Sequence, residues 1–492
     1  LNFVIKDKAF VYLKMFRIKN SIDICNKLLV MNKKDTNVLN ILGLCFLYEN
    51  KYTEATKIFK EILIYDNKNI AALNSLGRLN HEIRNSKDAE KFFLEALEIN
   101  PNSLEVLNNI AGFYREEGKY KKGISLYLRA LKLYPNNPFI LNNLSKSYFD
   151  INDLSLAKKY SLAAFQLDKI DGNIQKILSF IYLREQNYIE AWKYFDGRLK
   201  INDFVKKNKS IIKIQDKLLT SNYIDKNKKI LILREQGVGD EILYATMYKD
   251  VLEDWPNVQI ECEKRLLNLF KNSFRKYSAR FVESGKISNN DKNLKAFDNV
   301  LYAGSLGKYY RKKIFDFDKL PYLLADKNKI AKQQLYFNQF NNKKNIGISW
   351  RSFNNRYSNE KSLTLFDFEK LFKIKNCNII NLQYGNVSEE ISKFEKETGF
   401  EIFTNNEIDL FNDLDNLAAL LKNIDIFITI SNSTAHLAGA LGIKTFLIKP
   451  SNHALFHYWN QPNERSPWYN SIQLIDRENL NNGKFIENLI NI

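Results

Sequence analysis

The sequence predicts an α plus α/β chain: a solenoid of helical hairpins, then two Rossmann-like lobes. Three observations carry this. A 34-residue period runs through the first two fifths of the chain. From Lys229, short β-branched runs alternate with helical stretches. A polar, helix-prone connection, Lys327 to Lys344, then divides that second part. The length of 492 residues suits two to four domains, and 45% hydrophobic residues leave enough apolar surface for real cores, which excludes a mostly disordered chain.

The period is visible at Leu42–Gly43, Leu76–Gly77, Ile110–Ala111, Leu144–Ser145 and Leu178–Ser179, a step of 34 each time. An aromatic follows in four copies (Phe46, Tyr114, Tyr148, Tyr182). Further on comes a small residue (Ala55, Ala89, Gly123, Ala157, Ala191), then Phe59, Phe93, Tyr127, Ser161 or Phe195. Pro101 and Pro135 close two copies. Each copy reads as a helix pair that cannot bury its apolar face alone. The Gly or Ala of the first helix (Gly43, Gly77, Ala111) allows close approach of the second, and the aromatics fill the remaining gaps. Residues 3–36 read as a degenerate first copy, with Tyr12 and Leu28 in place. All these residues are expected to pack the core, leaving a concave surface for an extended partner. The repeat region is assigned to 1–203 and a Lys-rich linker or cap to 204–228.

Strands are expected at Ile230–Leu233, Val258–Cys262, Phe297–Tyr302, Ile346–Trp350, Cys377–Gln383, Ile424–Ile430 and Thr445–Ile448. Such apolar runs alternating with helices imply parallel sheets, in lobes 229–330 and 331–492. Ligands bind such sheets outside the strands' carboxyl ends, and three loops there look chemical. Arg234 to Glu241 carries Gly237, Gly239 and Asp240 before a helix expected near Ile242. Two glycines permit close backbone approach at a helix start, and Asp240 could alternatively be its N-cap. It is not a phosphate-binding Walker loop, since no Gly-Lys-Ser/Thr follows. Ser349 to Asn354, with Arg356 and Lys361 downstream, brings cations (Arg351, Arg356, Lys361) beside a strand end, where they could neutralise a diphosphate or simply face solvent. Ile430 to Gly442 runs from a buried strand through small polar residues into an Ala/Gly-packed helix. Its free amides, with the Ser433 and Thr434 hydroxyls, form an anion cradle, and His436 falls on its first turn.

The formal charge of +18 is spread along the chain without a run of five basic residues, so a small anionic ligand or an acidic membrane surface is preferred to nucleic acid. Cys25, Cys45, Cys262 and Cys377 form no CxxC pair and no zinc set with the four histidines, and no metal site is expected. No apolar run approaches the ~20 residues of a membrane span, and no secretory signal is visible. A cytoplasmic location is expected, with peripheral association at the inner face of the membrane left open. Leu1 leaves the true N-terminus undetermined.

The repeat pattern resembles the tetratricopeptide repeat. Residues 229–477 resemble the two-lobed, metal-independent glycosyltransferases of the GT-B fold, and more narrowly the lipopolysaccharide heptosyltransferase group. The residues carrying this are Gly239–Asp240, Gly347 to Trp350 with Lys361, Asn381 to Gly385, Asp409 to Leu420, and Ser433 to Gly442. The resemblance implies that Asp240 is the catalytic base, that Lys361 contacts the donor phosphates, and that Ser433, Thr434 and His436 bind the donor's diphosphate and sugar. Gly239, Trp350 and Arg351 join them as donor-site candidates. The heptosyltransferases usually carry Asp-Thr-Gly where this chain has Ser431-Asn432-Ser433, so ADP-heptose is not implied as the donor. The repeats-then-transferase order also resembles that of the O-linked N-acetylglucosamine protein transferases, in architecture alone.

The expected activity is transfer of a sugar from a nucleotide-sugar to a hydroxyl of a protein or glycan held by the repeats, with inversion, no cofactor and no metal. Asp316-Phe317-Asp318 is a surface-turn candidate away from any strand end. Fixed cations and helix amides would therefore stabilise the leaving diphosphate. The alternative is a repeat scaffold whose transferase-like lobes no longer turn over. Both rest on one geometric expectation: the amides opening the helix at Ser433 face a crevice, with the carboxylate of Asp240 on its opposite wall.

Overall fold

The computed structural model describes residues 2–15, 17–208, 210–221, 223–317, 320–339, 343–353, 361–374, 376–450, 456–459, 465–477 and 479. The chain divides into two compact units, Leu1–Asp168 and Lys169–Ile492.

The first unit is a run of helix pairs: α1 (Asn2–Lys14) with α2 (Ile18–Met31), α3 (Thr36–Tyr48) with α4 (Tyr52–Tyr65), α5 (Ile70–Glu82) with α6 (Ser86–Ile99), α7 (Leu104–Glu116) with α8 (Tyr120–Leu133), and α9 (Pro138–Asp150) with α10 (Leu154–Leu167). The period has local causes. Asp35, Asn69, Ser103 and Asn137, each 34 residues apart, cap the first helix of a pair by accepting from a backbone N–H. Asn50, Arg84, Gly118 and Asn152 hold the left-handed backbone that turns one helix into the next. As expected, Gly77 receives Phe93 of the partner helix, for a Cβ there would lie 2.6 Å from the ring. In the degenerate first copy Ser21 Oγ donates to Ala9 O at 2.8 Å, as Ser145 Oγ does to Ala157 O at 2.8 Å.

The second unit begins with a further pair, α11 (Gly172–Arg184) and α12 (Tyr188–Phe195). Here the structure departs from the expected boundary at 203. This pair belongs to the same compact unit as the sheets. Trp192 Nε1 donates to Arg311 O at 2.6 Å, and its ring covers Gly307 so closely that no Cβ would fit. Of the two readings of segment 204–228, linker or cap, its packing matches the cap. Phe204, Ile211 and Ile214 are buried with Leu231, Val300 and Tyr302, and Leu219 N–H donates to Val300 O at 2.9 Å along the sheet edge.

The first sheet holds β1 (Ile230–Leu233), β2 (Val258–Cys262), β3 (Phe281–Glu283) and β4 (Asn299–Tyr302), in the order β3-β2-β1-β4. The second holds β5 (Lys344–Ser349), β6 (Cys377–Asn381), β7 (Ile426–Ile430), β8 (Thr445–Ile448) and β9 (Ile472–Ile475), in the order β6-β5-β7-β8-β9. Every pairing between these strands is parallel. A helix, Lys327–Phe337, forms the expected connection between them. The strand order reverses between β1 and β4 in one sheet and between β5 and β7 in the other. Crevices at such switch points are where doubly wound sheets bind ligands, and all three predicted loops lie there.

Ile214 separates the two readings of 204–228. Its side chain is fully buried, so Ile214→Ala is expected to destabilise the second unit by about 2–5 kcal/mol in urea unfolding. A linker position would show no measurable change.

Candidate functional site

The loop leaving β1 turns into the helix Val238–Ala245, four residues earlier than expected. Gly237 is its N-cap, so Asp240 is not. Asp240 is the third helical residue, and its carboxylate accepts the Gly237 N–H at 3.2 Å. This satisfies one of the unpaired amides of the helix start and fixes the carboxyl at the mouth of the loop.

The loop leaving β7 turns into the helix Ser433–Leu441, capped by Asn432, whose Oδ1 accepts from Ala435 N–H at 2.9 Å. Asn432 Nδ2 also donates to Ser349 Oγ at 2.8 Å, tying the end of β7 to the end of β5. Ser431 Oγ accepts from Trp459 Nε1 at 3.1 Å. Ser431 and Asn432 thus brace the switch point. Ser433 is half-buried. Thr434 is buried, and its hydroxyl makes no hydrogen bond among the described residues.

These two helix starts meet directly, a correction to the open crevice expected from sequence. A Cβ on Gly239 would lie 2.8 Å from His436 Cδ2 and 3.5 Å from Ser433 Cα. His436 is buried, its Nδ1 hydrogen-bonds Tyr469 OH at 2.9 Å, and its ring lies 4.8 Å from that of Trp459. Burial, then the charge of Lys361, drives its pKa down to about 3, so it is a neutral imidazole at physiological pH.

Lys361 comes from beyond the β5 loop, nearly buried, with its ammonium 4.4 Å from the Phe456 ring centre. Burial lowers its pKa to about 8, and the negative charge of Asp240 partly opposes this. Asp240 responds in the complementary sense. Burial raises its pKa to about 6, against the lowering effects of the Gly237 hydrogen bond and Lys361. A carboxyl poised near neutrality beside an ammonium of depressed pKa can exchange a proton with a hydroxyl near pH 7.

The structure brings together Gly239, Asp240, Lys361, Ser433 and His436, with Thr434 on the same helix turn. It leaves out two other candidates. Trp350 is fully buried in the core of the second sheet, and its Nε1 donates to Glu390 at 2.9 Å, so its side chain offers nothing to a ligand. Arg351 is exposed and pairs with Glu390 at 3.0 Å. It lines a shallow depression of about 600 Å³ with Glu389, Lys393 and Arg477, and none of Asp240, Lys361 or His436 borders that space. Arg356 and Asp318 lie outside the described residues. Asp316 accepts from the backbone N–H groups of Lys312 and Lys313, and Phe317 is buried rather than in a surface turn. Among the described residues no cluster of His, Cys, Asp and Glu could hold a metal, and no helix is long and apolar enough to cross a membrane.

Sequence reasoning missed the partners that organise these loops. Gln383 Oε1 accepts from Ser349 Oγ and from the N–H groups of Trp350 and Arg351, at 3.1, 2.9 and 2.7 Å, shaping the turn after β5. Glu235, next to the predicted loop glycines, is buried against Arg198. Both contacts join residues more than thirty positions apart, and no local pattern announces them.

Together these elements define a chain of helical repeats joined to two doubly wound sheets, with a polar site where the sheets' carboxyl ends meet. The repeat part is a run of tetratricopeptide repeats: that family's model matches residues 70–103 and 104–137. Protein FlbA of Caulobacter vibrioides (strain ATCC 19089 / CIP 103742 / CB 15) is 27% identical over 261 residues, covering 50% of this chain. The chain spans 43% of that relative's length. Among solved structures, TTC0263, a thermophilic tetratricopeptide protein of Thermus thermophilus, overlays with a TM-score of 0.35 at 15% identity, over 37% of this chain and 100% of its own. PilF of Pseudomonas aeruginosa overlays at 0.34 with 17% identity, over 40% and 90%.

The Gly239–His436 contact yields a test of the meeting surface. Gly239→Ala is expected to cost about 1–3 kcal/mol by overpacking. In a double-mutant cycle in urea, His436→Ala should relieve most of that cost. Additive effects would mean the two helix starts do not touch.

Proposed function

We propose that this protein is a metal-independent glycosyltransferase working from a nucleotide-sugar, with the tetratricopeptide repeats holding a protein or glycan acceptor. One observation carries the reading: a carboxyl of raised pKa, an ammonium of lowered pKa and an unpartnered buried hydroxyl at a helix start converge from both sheets at their switch points. Asp240 takes the proton of the acceptor hydroxyl as its oxygen bonds the anomeric carbon. The bond from that carbon to the β-phosphate oxygen breaks, and the nucleoside diphosphate leaves with the electron pair. Lys361 and the amides at Ser433 and Thr434 offset the developing negative charge. Entry of a donor requires the Gly239–His436 contact to part, as lobe motions in two-domain enzymes allow. His436, neutral, can donate or accept a hydrogen bond without adding charge.

That same contact favours a second reading, a scaffold whose transferase-like lobes stay shut. Tetratricopeptide repeats support the binding of protein partners in either case.

Nucleoside diphosphate release from a panel of UDP-, ADP- and GDP-sugars decides between them. For an active donor, kcat/KM should be bell-shaped in pH. It should rise as Asp240 loses its proton near pH 6 and fall as Lys361 loses its own near pH 8. Asp240→Asn should lower the rate roughly 10²–10⁴-fold, and Lys361→Met roughly 10²–10³-fold. No release from any donor, together with no binding of UDP, ADP or GDP by calorimetry, leaves the scaffold.

A further inference from the structure

The last helical pair is built into the first sheet's switch point. Arg198, in the turn after α12, is buried. It grips Glu235 with two hydrogen bonds, Nε to Oε2 at 2.8 Å and Nη2 to Oε1 at 2.7 Å. Its remaining donors reach Ser305 Oγ at 2.9 Å, Asp196 Oδ1 at 2.9 Å and Phe195 O at 3.1 Å. Glu235 is buried too, and also accepts the Gly304 N–H, so one carboxylate joins the loops after β1 and β4. Two residues beyond it stands Gly237, whose amide holds Asp240.

We propose that Arg198 is a positioning residue for Asp240: by neutralising and orienting Glu235 it lets the last repeat pair set the shape and charge of the loop that carries the base. The inference rests on the transferase reading for its catalytic meaning, while the coupling itself stands on geometry. The charged and titratable groups acting on Asp240 are Glu235 and Lys361 directly, with Tyr244 on its own helix and Tyr458 and Tyr469 from the second lobe each feeling its charge. His436 faces the same helix start and is neutral. Glu235 raises the Asp240 pKa. Its influence is limited by the guanidinium beside it, because opposite charges at hydrogen-bond distance cancel much of each other's field. Without Arg198, the carboxylate of Glu235 acts uncompensated.

The test follows the Asp240 carboxyl itself. Infrared difference spectra of the full chain labelled with ¹³C-carboxyl aspartate, each taken against the same protein carrying Asp240→Asn, give its titration midpoint without turnover. Arg198→Met should raise the midpoint by about half a pH unit or more, and Glu235→Gln should lower it. Arg198→Lys, which keeps the charge, should shift it less than Arg198→Met. An uncompensated buried carboxylate destabilises the fold, so the neutral pair Arg198→Met with Glu235→Gln is measured alongside. It should fold and titrate below the Arg198→Met midpoint and close to wild type, because both charges are gone. A midpoint unchanged in Glu235→Gln overturns the proposal. Silence of the wild type toward every donor sinks the transferase reading and leaves this titration to be judged separately.

Discussion

Two helix starts come within van der Waals distance because residue 239 has no side chain, and the arrangement of the groups around them depends on that approach. Each start carries unpaired amides and the positive end of a helix dipole. Pointed at one another they repel, unless negative or polar groups lie between. Asp240 answers one start through the Gly237 N–H, and Asn432 answers the other through Ala435. Ser433 and Thr434 remain at the seam, the latter with its hydroxyl unsatisfied. A buried hydroxyl without a partner carries a standing desolvation cost, which a bound acceptor atom at this seam would relieve.

Burial also explains why the three titratable groups at the seam are tuned as they are. Asp240 and Lys361 attract one another, yet each is pushed toward its neutral form, because loss of water outweighs the attraction at this depth. His436 is driven further, by burial and by Lys361 together, and keeps no charge. The outcome is one carboxyl and one ammonium whose proton affinities lie within about two pH units of each other, where a proton moves at little cost. Exposed groups of the same kinds would sit near 4 and 10, roughly six units apart.

The sequence made some of this legible. Repeat periodicity is a local signal repeated five times, so the small and aromatic positions of the pairs, such as Gly77 and Phe93, could be placed by counting. Strands with continuous apolar runs, such as Ile426–Ile430, were equally plain. The short strands Phe281–Glu283 and Ile472–Ile475 were not, since three or four residues with a polar member carry no period. At the site, types and spacing pointed to Asp240, Lys361 and His436. They misplaced Trp350 and Arg351, because a residue at a strand end can turn toward the core or outward. Trp350 turned inward to Glu390, and the same glutamate drew Arg351. The meeting of Gly239 with His436 depends on how two sheets close, a relation nearly two hundred residues long that no local pattern encodes.

The boundary at Asp168 has the same physical origin. In a solenoid each pair leans on its neighbours through apolar side chains, and a terminal pair normally ends in a polar face. Here α11 and α12 end instead in a patch built for the sheet: Trp192 over Gly307, Arg198 on Glu235, and Lys308 reaching Asp196 at 2.8 Å. Arg311, whose carbonyl receives the Trp192 N–H, binds Asp250 at 2.8 Å on the far side. A buried charge stripped of its partner is costly, typically about 3–5 kcal/mol, so these pairs lock as a set. The last pair has therefore exchanged the adaptability of a repeat for the rigidity of a wall behind the first sheet's loops, and the chain's division by sequence period differs from its division by packing.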